Sequence, residues 1–395
     1  MAFHTGIGFS QKLNTKEAAI EAAEQAKLLL QQKKVDLAVV FSTIHYSSQE
    51  FLVLIKDILG TNQIVGCSTA GILTSNLIAT RGISVVALTS DDVHFAIGCI
   101  DNITSQDLRM AGNSLAKNVT EHYGQHRRQA FVFFSDGVLT DSSVILKGIQ
   151  DVFGNAFPII GAGSCDDFHF KQSHQFCREK TMNNGACGFL IGGHTTIGLG
   201  TRHGWKPLGK PRFVDRVEHN VIKTIDGKPA ASIYQEYFGE KANNLRSTRL
   251  GQMSILYPLG IYLPGEDEYL LRNAVSILAD GSIVCQGEIP REAEVHIMLS
   301  NKESCIQATM DAAMQAQNNL KGTEPKLVII FESLARHKLL GRAAFQEIKA
   351  IKEVFGYTAP LIGIYTYGEI CPTRSLEDID KMHVQNESIT ILALG

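Results

Sequence analysis

Gln63-Ile64-Val65-Gly66-Cys67-Ser68-Thr69 is an apolar run that passes through a glycine and opens onto short polar side chains. The same order returns as Pro158-Ile159-Ile160-Gly161-Ala162-Gly163-Ser164, and again as Pro360-Leu361-Ile362-Gly363-Ile364-Tyr365-Thr366. Outward from each run the pattern extends. A helical segment precedes it: Ser48–Leu59 ended by Gly60, Asp141–Phe153 by Gly154, Leu339–Phe355 by Gly356. Glycine just past the last turn supplies the left-handed residue that stops a helix. Before those helices lie continuous apolar strands, Leu37–Phe41, Ala130–Phe134 and Leu327–Phe331. Before the strands come Ala-rich helices, Asn14 to Lys34, Thr104 to Gly124 and Glu303–Leu320. Asn14 or Thr15, and Thr104 or Ser105, are natural N-caps, with Glu17 and Asp107 in the favoured first turn.

Each unit also has an entry strand and a closing strand. Gly6-Ile7-Gly8 and Ala96-Ile97-Gly98 enter copies one and two, and Val295–Leu299 is the expected entry to copy three. Ile83–Leu88, Cys187–Ile191 and Ser388–Leu394 close them. Short apolar strands alternating with helices predict α/β layers with partly parallel sheets. From about Arg212 to Glu292 the texture changes to short runs with Asp-Gly turns, such as Val221–Ile225, Ala274–Leu278 and Ile283–Gln286, which predict antiparallel hairpins. The fold class is therefore mixed α/β and α+β. We expect an N-terminal domain over 1–219, with internal repeats over about 3–100 and 93–203, and a C-terminal domain over 220–395.

Composition excludes several classes. A hydrophobic share of 44% with 19% charged residues is globular rather than disordered. A net charge of −3 without a basic run argues against nucleic acid. The start of the chain has neither a basic n-region nor an apolar h-region, and the longest apolar runs are strand-sized, so a cytoplasmic protein without membrane insertion is expected. The eight cysteines lack any C-x-x-C pair and are expected to be reduced and mostly buried. Cys165, His169, His174 and Cys177 have a zinc-like look without the tight pairing of structural zinc ligands, and the nearby phenylalanines predict a hairpin instead.

The loops beyond the parallel strands are the first candidates for a site, because ligands of open α/β sheets gather at the carboxyl ends of the strands. They offer Cys67, Ser68 and Thr69; Ser164, Asp166 and Asp167; and Thr366, Tyr367 and Glu369. These residues either contact a ligand or cap their own turns, and both readings stay open. Arg336, after the third apolar strand and beside Glu332 and Ser333, is a candidate bidentate clamp for a ligand carboxylate. No P-loop and no G-x-S-x-G elbow is present. An enzyme is not expected; a cofactor-free hydrolase using Ser68 or Ser164 is the catalytic alternative.

Several motifs resemble the FIST family of sensor domains. In the C-terminal half these are Gly204-Trp205-Lys206-Pro207-Leu208-Gly209, Asp226-Gly227-Lys228-Pro229-Ala230, Tyr257-Pro258-Leu259-Gly260 and Pro360 to Ile370, with Glu347-Ile348. In the N-terminal half they are Val65 to Gly71 and Gly161 to Asp167. The resemblance covers nearly the whole chain. It implies an N-terminal and a C-terminal FIST domain, a small ligand, and a separate signalling partner, since the chain shows no output domain. One branch, the nitric-oxide-sensing NosP type, binds haem and couples to a histidine kinase. Were this chain of that type, haem b would sit at His203, beside Trp205, with nitric oxide as the signal. A haem-free sensor for a small, amino-acid-like metabolite is the alternative.

Overall fold

The structure, a computed structural model, describes residues 3–138, 142–239, 256–266, 268–372 and 382–395. Asp141, the expected start of a helix, lies outside the described residues.

Unit one runs β1 (His4–Ser10), α1 (Thr15–Leu29), β2 (Leu37–Thr43), α2 (Ser48–Leu59), β3 (Ile64–Thr69), β4 (Ile72–Thr74), β5 (Ile78–Ala79) and β6 (Ile83–Thr89). Unit two repeats it as β7 (Val93–Asp101), α3 (Leu108–Tyr123), β8 (Arg128–Asp136), α4 (Ser142–Phe153), β9 (Ile159–Ser164), β10 (Gln175–Cys177), β11 (Lys180–Met182) and β12 (Gly185–Gly193). Asn14 caps α1 through its side chain, as its position predicts. In unit two Asp107 rather than Thr104 is the N-cap, because Ile103–Ser105 are taken up in a tight turn before the helix.

Unit three opens on β13 (Ile197–Arg202), and here the expectation from sequence needs correcting. The Val295–Leu299 run is not its entry strand. β13 pairs antiparallel with the last strand of the chain, as β1 pairs with β6. Its Gly198-Leu199-Gly200 repeats Gly6-Ile7-Gly8, and both glycine pairs serve one purpose. A Cβ on Gly8 would lie 1.8 Å from Ala22 O, and one on Gly200 would lie 1.9 Å from Ala312 O. Glycine strand and alanine helix therefore pack backbone to backbone. Between that strand and its helix the chain inserts a whole antiparallel sheet: β14 (Lys206–Glu218), β15 (Val221–Ile225), β16 (Lys228–Pro229), α5 (Ser232–Phe238), β17 (Leu259–Ile261), β18 (Leu270–Arg272), β19 (Ala274–Ile277), β20 (Ile283–Cys285) and β21 (Glu294–Leu299). Unit three then resumes with α6 (Lys302–Asn319), β22 (Leu327–Ser333), α7 (Leu334–Leu340), α8 (Phe345–Phe355), β23 (Leu361–Thr366), β24 (Glu369–Pro372), β25 (Met382–Gln385) and β26 (Ile389–Leu394). The single helix expected over Leu339–Phe355 is divided because Gly341, at φ 54°, ends α7.

The strand orders β1-β6-β2-β3, β7-β12-β8-β9 and β13-β26-β22-β23 are the same. Each sheet is completed by a hairpin from a neighbour in a closed cycle. β4 of unit one pairs with β23 of unit three, β24 of unit three with β9 of unit two, and β10 of unit two with β3 of unit one. Helices cover the outer faces, and the inner faces meet in one shared core. At its centre the equivalent residues Phe41, Phe134 and Phe331 touch, with ring centroids 5.7 Å and 6.0 Å apart.

The glycine of the opening motif has a physical reason. Gly66 faces Val40 and Gly161 faces Phe133 across a parallel pair. A Cβ at either position would sit 1.8 Å from the partner's carbonyl oxygen. Gly161→Ala should therefore spread β8 from β9 and cost about 1–3 kcal/mol, as overpacking does, read as a lowered urea midpoint; an unchanged midpoint would contradict the close approach. No described helix is long and apolar enough to cross a membrane.

Candidate functional site

The carboxyl ends of β22 and β23 face the segment after β9 and the inserted sheet, and a small cavity lies between them. Its walls include Phe168, Phe170, Asn273, Gln286, Ser333 and Thr366. At ≈ 20 Å³ it has room for about one water molecule. A larger cleft of ≈ 380 Å³ lies on the same seam, between α4, β18 and β25.

Residues 166–172 form a loop over the cavity. Asp166, 2% exposed, anchors it. Its Oδ1 accepts from Phe170 N at 2.9 Å and Tyr367 OH at 3.0 Å, and its Oδ2 accepts from Lys171 N at 2.7 Å and Gln172 N at 3.0 Å. Phe170 stacks on Tyr367, with centroids 4.6 Å apart. Asp167, Phe168 and Phe170 hold φ of 54°, 61° and 49°. Bulky side chains rarely adopt this region, which costs of order 1–3 kcal/mol per residue. The anchored carboxylate holds the strained loop closed.

Beneath the cavity lies a cluster of buried acids. Glu332, Glu347, Glu369 and Glu387 are all 0% exposed, and Arg336, also 0% exposed, is the cation among them. Burial pushes the Glu369 carboxyl up to about 8. Its hydrogen bonds pull the other way without cancelling the rise. Thr366 Oγ1 lies 3.1 Å from Glu332 O and 2.6 Å from Glu369 Oε1. Thr366 Oγ1 donates to Glu369 Oε1, and the other carboxyl oxygen accepts from Ser388 N and Oγ. Burial, and then the facing Glu347, likewise raise Glu332. Burial raises Glu387 as well, with Glu369 adding to the rise. Asn273 lies against Glu387 and works against the rise, but neither Glu387 oxygen nor Asn273 Oδ1 meets a well-aligned donor among the described residues. Buried polar groups left in this state are costly and point to a missing partner.

Of the residues picked out by sequence, Asp166, Thr366, Tyr367 and Glu369 come together here. Asp167 stands on the same loop and Arg336 among the acids beneath it, while the others lie elsewhere. Cys67 is sealed in the shared core, its thiol pushed up by burial. Ser68 Oγ donates to Cys165 O and Thr69 Oγ1 to Tyr365 O, each fastening unit one to a neighbour. Ser164 Oγ lies 2.9 Å from Ser135 O and 2.8 Å from Ser173 Oγ, inside a sealed hydroxyl network. Arg336, expected at a ligand carboxylate, is instead consumed by the core, donating to His203 O, Cys305 O, Thr309 Oγ1 and Glu347 Oε1. Cys165 and Cys177 belong to different clusters.

His203 and Trp205 fit haem poorly. His203 Nδ1 accepts from Trp205 N at 2.8 Å, which places the ring proton on Nε2. That nitrogen faces Glu268 at 3.5 Å and has no free lone pair for iron. The ring is 5% exposed, and burial, the largest influence, lowers its pKa. Sequence reasoning missed Phe168, Phe170, Asn273, Gln286 and Glu387. A clue existed in Glu332, an acid at the end of an apolar strand run, and in Glu387, an acid in the short turn just before the apolar run Ile389–Leu394.

The FIST N domain matches residues 36–228 and the FIST C domain matches residues 230–372. The chain belongs to the FIST family. FIST domains are associated with sensing and signal transduction. The junction between the two matches falls within the inserted sheet, beside the β15–β16 turn. A curated relative is an uncharacterized protein of Methanocaldococcus jannaschii, 22% identical over 346 residues, or 80% of this FIST chain and 65% of that protein. The chain thus spans just under two thirds of that relative's length. Among solved structures, cyanuric acid hydrolase from A. caulinodans aligns over 100% of this chain and 99% of its own, at 8% identity and a TM-score of 0.36. Phosphoribosylformylglycinamidine synthase II from Thermotoga maritima aligns over 100% and 72%, at 9% identity and 0.23. At these scores neither likeness bears on the activity of the FIST chain.

Proposed function

We propose that this FIST protein is a ligand-binding input to a signalling system, and that its ligand is a small metabolite carrying an amino group. One observation carries the reading: Glu387, buried and raised, lies against Asn273, which lines a small cavity under a strained aromatic loop, where three parts of the chain meet. An ammonium placed near Glu387 supplies the missing counter-charge. It draws the carboxyl back toward its ordinary range, so binding releases a proton. A ligand larger than water requires the 166–172 loop to lift, and the loop's position is then the signal offered to a partner such as a sensor histidine kinase. Affinity for that partner changes only as far as the ligand distinguishes the two loop states.

The protein binds rather than turns over substrate in this reading. Ser68 Oγ donates to Cys165 O and accepts from His174 N, an arrangement that leaves it no role as a nucleophile. The haem-bound, nitric-oxide-responsive form requires His203 to exchange its present contacts. Reconstitution with haemin tests it directly: a Soret band lost in His203→Ala would favour that form.

Calorimetry in two buffers of different ionisation enthalpy, against amino acids and simple amines, tests the proposal. Binding with proton release, lost in Glu387→Gln and altered in Asp166→Ala, is expected. Absence of heat or thermal shift with every amine in the wild-type protein would overturn it.

A further inference from the structure

The cleft of ≈ 380 Å³ on the seam is a second meeting place of unit two, the inserted sheet and unit three. α4 supplies one wall. Ser143, Leu146, Lys147 and Gln150 recur at helical spacing, so they share the face of α4 turned to the cleft. β18 supplies the floor through Leu270 and Arg272, which alternate to the same side of the strand. Met382 and Val384 of β25 stand opposite. The walls are tied to one another around the space. Buried Arg272 donates through Nη1 to Val384 O at 2.8 Å and through Nε to Glu288 O at 3.0 Å. Nearer the solvent, Lys147 Nζ pairs with the Glu288 carboxylate and joins α4 to the inserted sheet. Ordinary packing leaves only small voids, whereas a tied gap of this size has the volume of a small-molecule site.

The lining decides what fits. Leu146, Leu270, Met382 and Val384 are buried apolar side chains and suit an apolar body. The lysine, arginine and acid side chains of the lining are Lys147, Arg272 and Glu288, an excess of one positive charge. Glu288 already faces Lys147, and it takes one of the three donors that an ammonium carries. Gln150 and Asn155 bring amide N–H groups to the same side. A carboxylate, which only accepts, matches these donors. A second ammonium would meet two cations of its own sign.

We infer that this cleft is a second binding site, for a small organic monocarboxylate with an apolar body. The carboxylate lies against Lys147 and the amides of Gln150 and Asn155, and the body lies on Leu146, Leu270 and Met382. The cleft is also joined to the loop cavity. Arg272 is followed by Asn273, which lines that cavity and donates its backbone N–H to Asn386 Oδ1 at 3.1 Å. A ligand resting on Arg272 therefore steadies the contact between β18 and β25. Occupancy of the cleft does not rest on the amine reading and survives its failure.

Calorimetry of the full chain against phenylpropionate and octanoate, with phenylpropionamide as the uncharged match, tests the inference. Both carboxylates should bind, and the amide should bind about tenfold more weakly, the loss expected of one charge-assisted hydrogen bond. Lys147→Gln should weaken the carboxylates by a similar factor, and Lys147→Arg should restore most of the affinity. Leu263→Trp, which fills the cleft from another part of its lining, should abolish binding, with the urea midpoint of each variant showing that it is folded. In the unaltered chain, phenylpropionate should slow hydrogen exchange in α4 and β25, a readout that needs no variant. Absence of binding by both carboxylates, equal binding of the amide, unchanged affinity in Lys147→Gln and Leu263→Trp, or protection confined to other elements would each overturn the inference.

Discussion

Replacing Arg336 with methionine should cost about 3–5 kcal/mol of stability, the usual effect of removing one side of a buried ion pair. The guanidinium is fully enclosed. Nη1 donates to His203 O at 2.5 Å, and Nη2 donates to Cys305 O at 2.9 Å, to Thr309 Oγ1 at 2.8 Å and to Glu347 Oε1. Nε lies 3.9 Å from Glu332 Oε1. His203 is where the chain leaves unit three for the inserted sheet, and Cys305 lies just after its return, so one side chain fastens both ends of the insertion. Methionine matches the volume but takes the guanidinium from His203 O and leaves Glu347 and Glu332 without their buried counter-charge. Lysine is not equivalent, because one ammonium cannot reach donors spread across a planar fork. The cost should appear as a fall in urea midpoint. Adding Glu347→Gln to the methionine variant should recover part of it, since the stranded acid is then neutral. A midpoint within error of wild type would show that the charge is not needed.

Much of the architecture was legible because periodicity and glycine placement are local signals. Gly66, Gly161 and Gly363 mark the same place in three sheets, and the strand–helix order around them is regular. What could not be read was which strand belongs to which sheet. Nothing in β4, β10 or β24 announces that each completes a neighbour's sheet, because hairpin sequence sets its own turn and not its docking edge. The insertion misled for a similar reason. Val295–Leu299 is apolar and directly precedes a helix, as an entry strand should, while the true entry, Gly198-Leu199-Gly200, stands far back in sequence and packs on Ala312 and Ala316. The site was legible by half. Asp166, Thr366, Tyr367 and Glu369 were reachable from the rule that polar residues gather at strand ends. Asn273 and Gln286 come from the inserted sheet, and only tertiary structure brings them there. Arg336 shows the converse, since a lone arginine after a strand gives no sign of whether it faces a cleft or the core.

Glu369→Gln should flatten the pH dependence of stability and leave this variant more stable than wild type at pH 8. The sign follows from the direction of the shift. Glu369 is fully buried and raised from its ordinary 4.5 to about 8, so between these values the folded chain keeps a proton that the unfolded chain gives up. Its contribution is complete below about 4.5 and is lost as the pH climbs to about 8, with a slope of ~1.4 kcal/mol per pH unit for one proton. Glu332 and Glu387, both raised, act in the same sense. Glutamine reproduces the protonated acid: its carbonyl accepts from Ser388 N and Oγ, and its amide donates to Thr366 Oγ1. The wild-type chain should therefore lose several kcal/mol between pH 5 and 8, and the variant about one proton less of slope. Urea unfolding at pH 5, 6.5 and 8 measures it, and parallel curves would mean that Glu369 is ionised in the folded state throughout. The same measurement with an amine ligand present reaches the site itself. Binding that ionises Glu387 removes part of the proton excess of the folded state, so stabilisation by ligand should grow with pH across the window in which the free protein weakens.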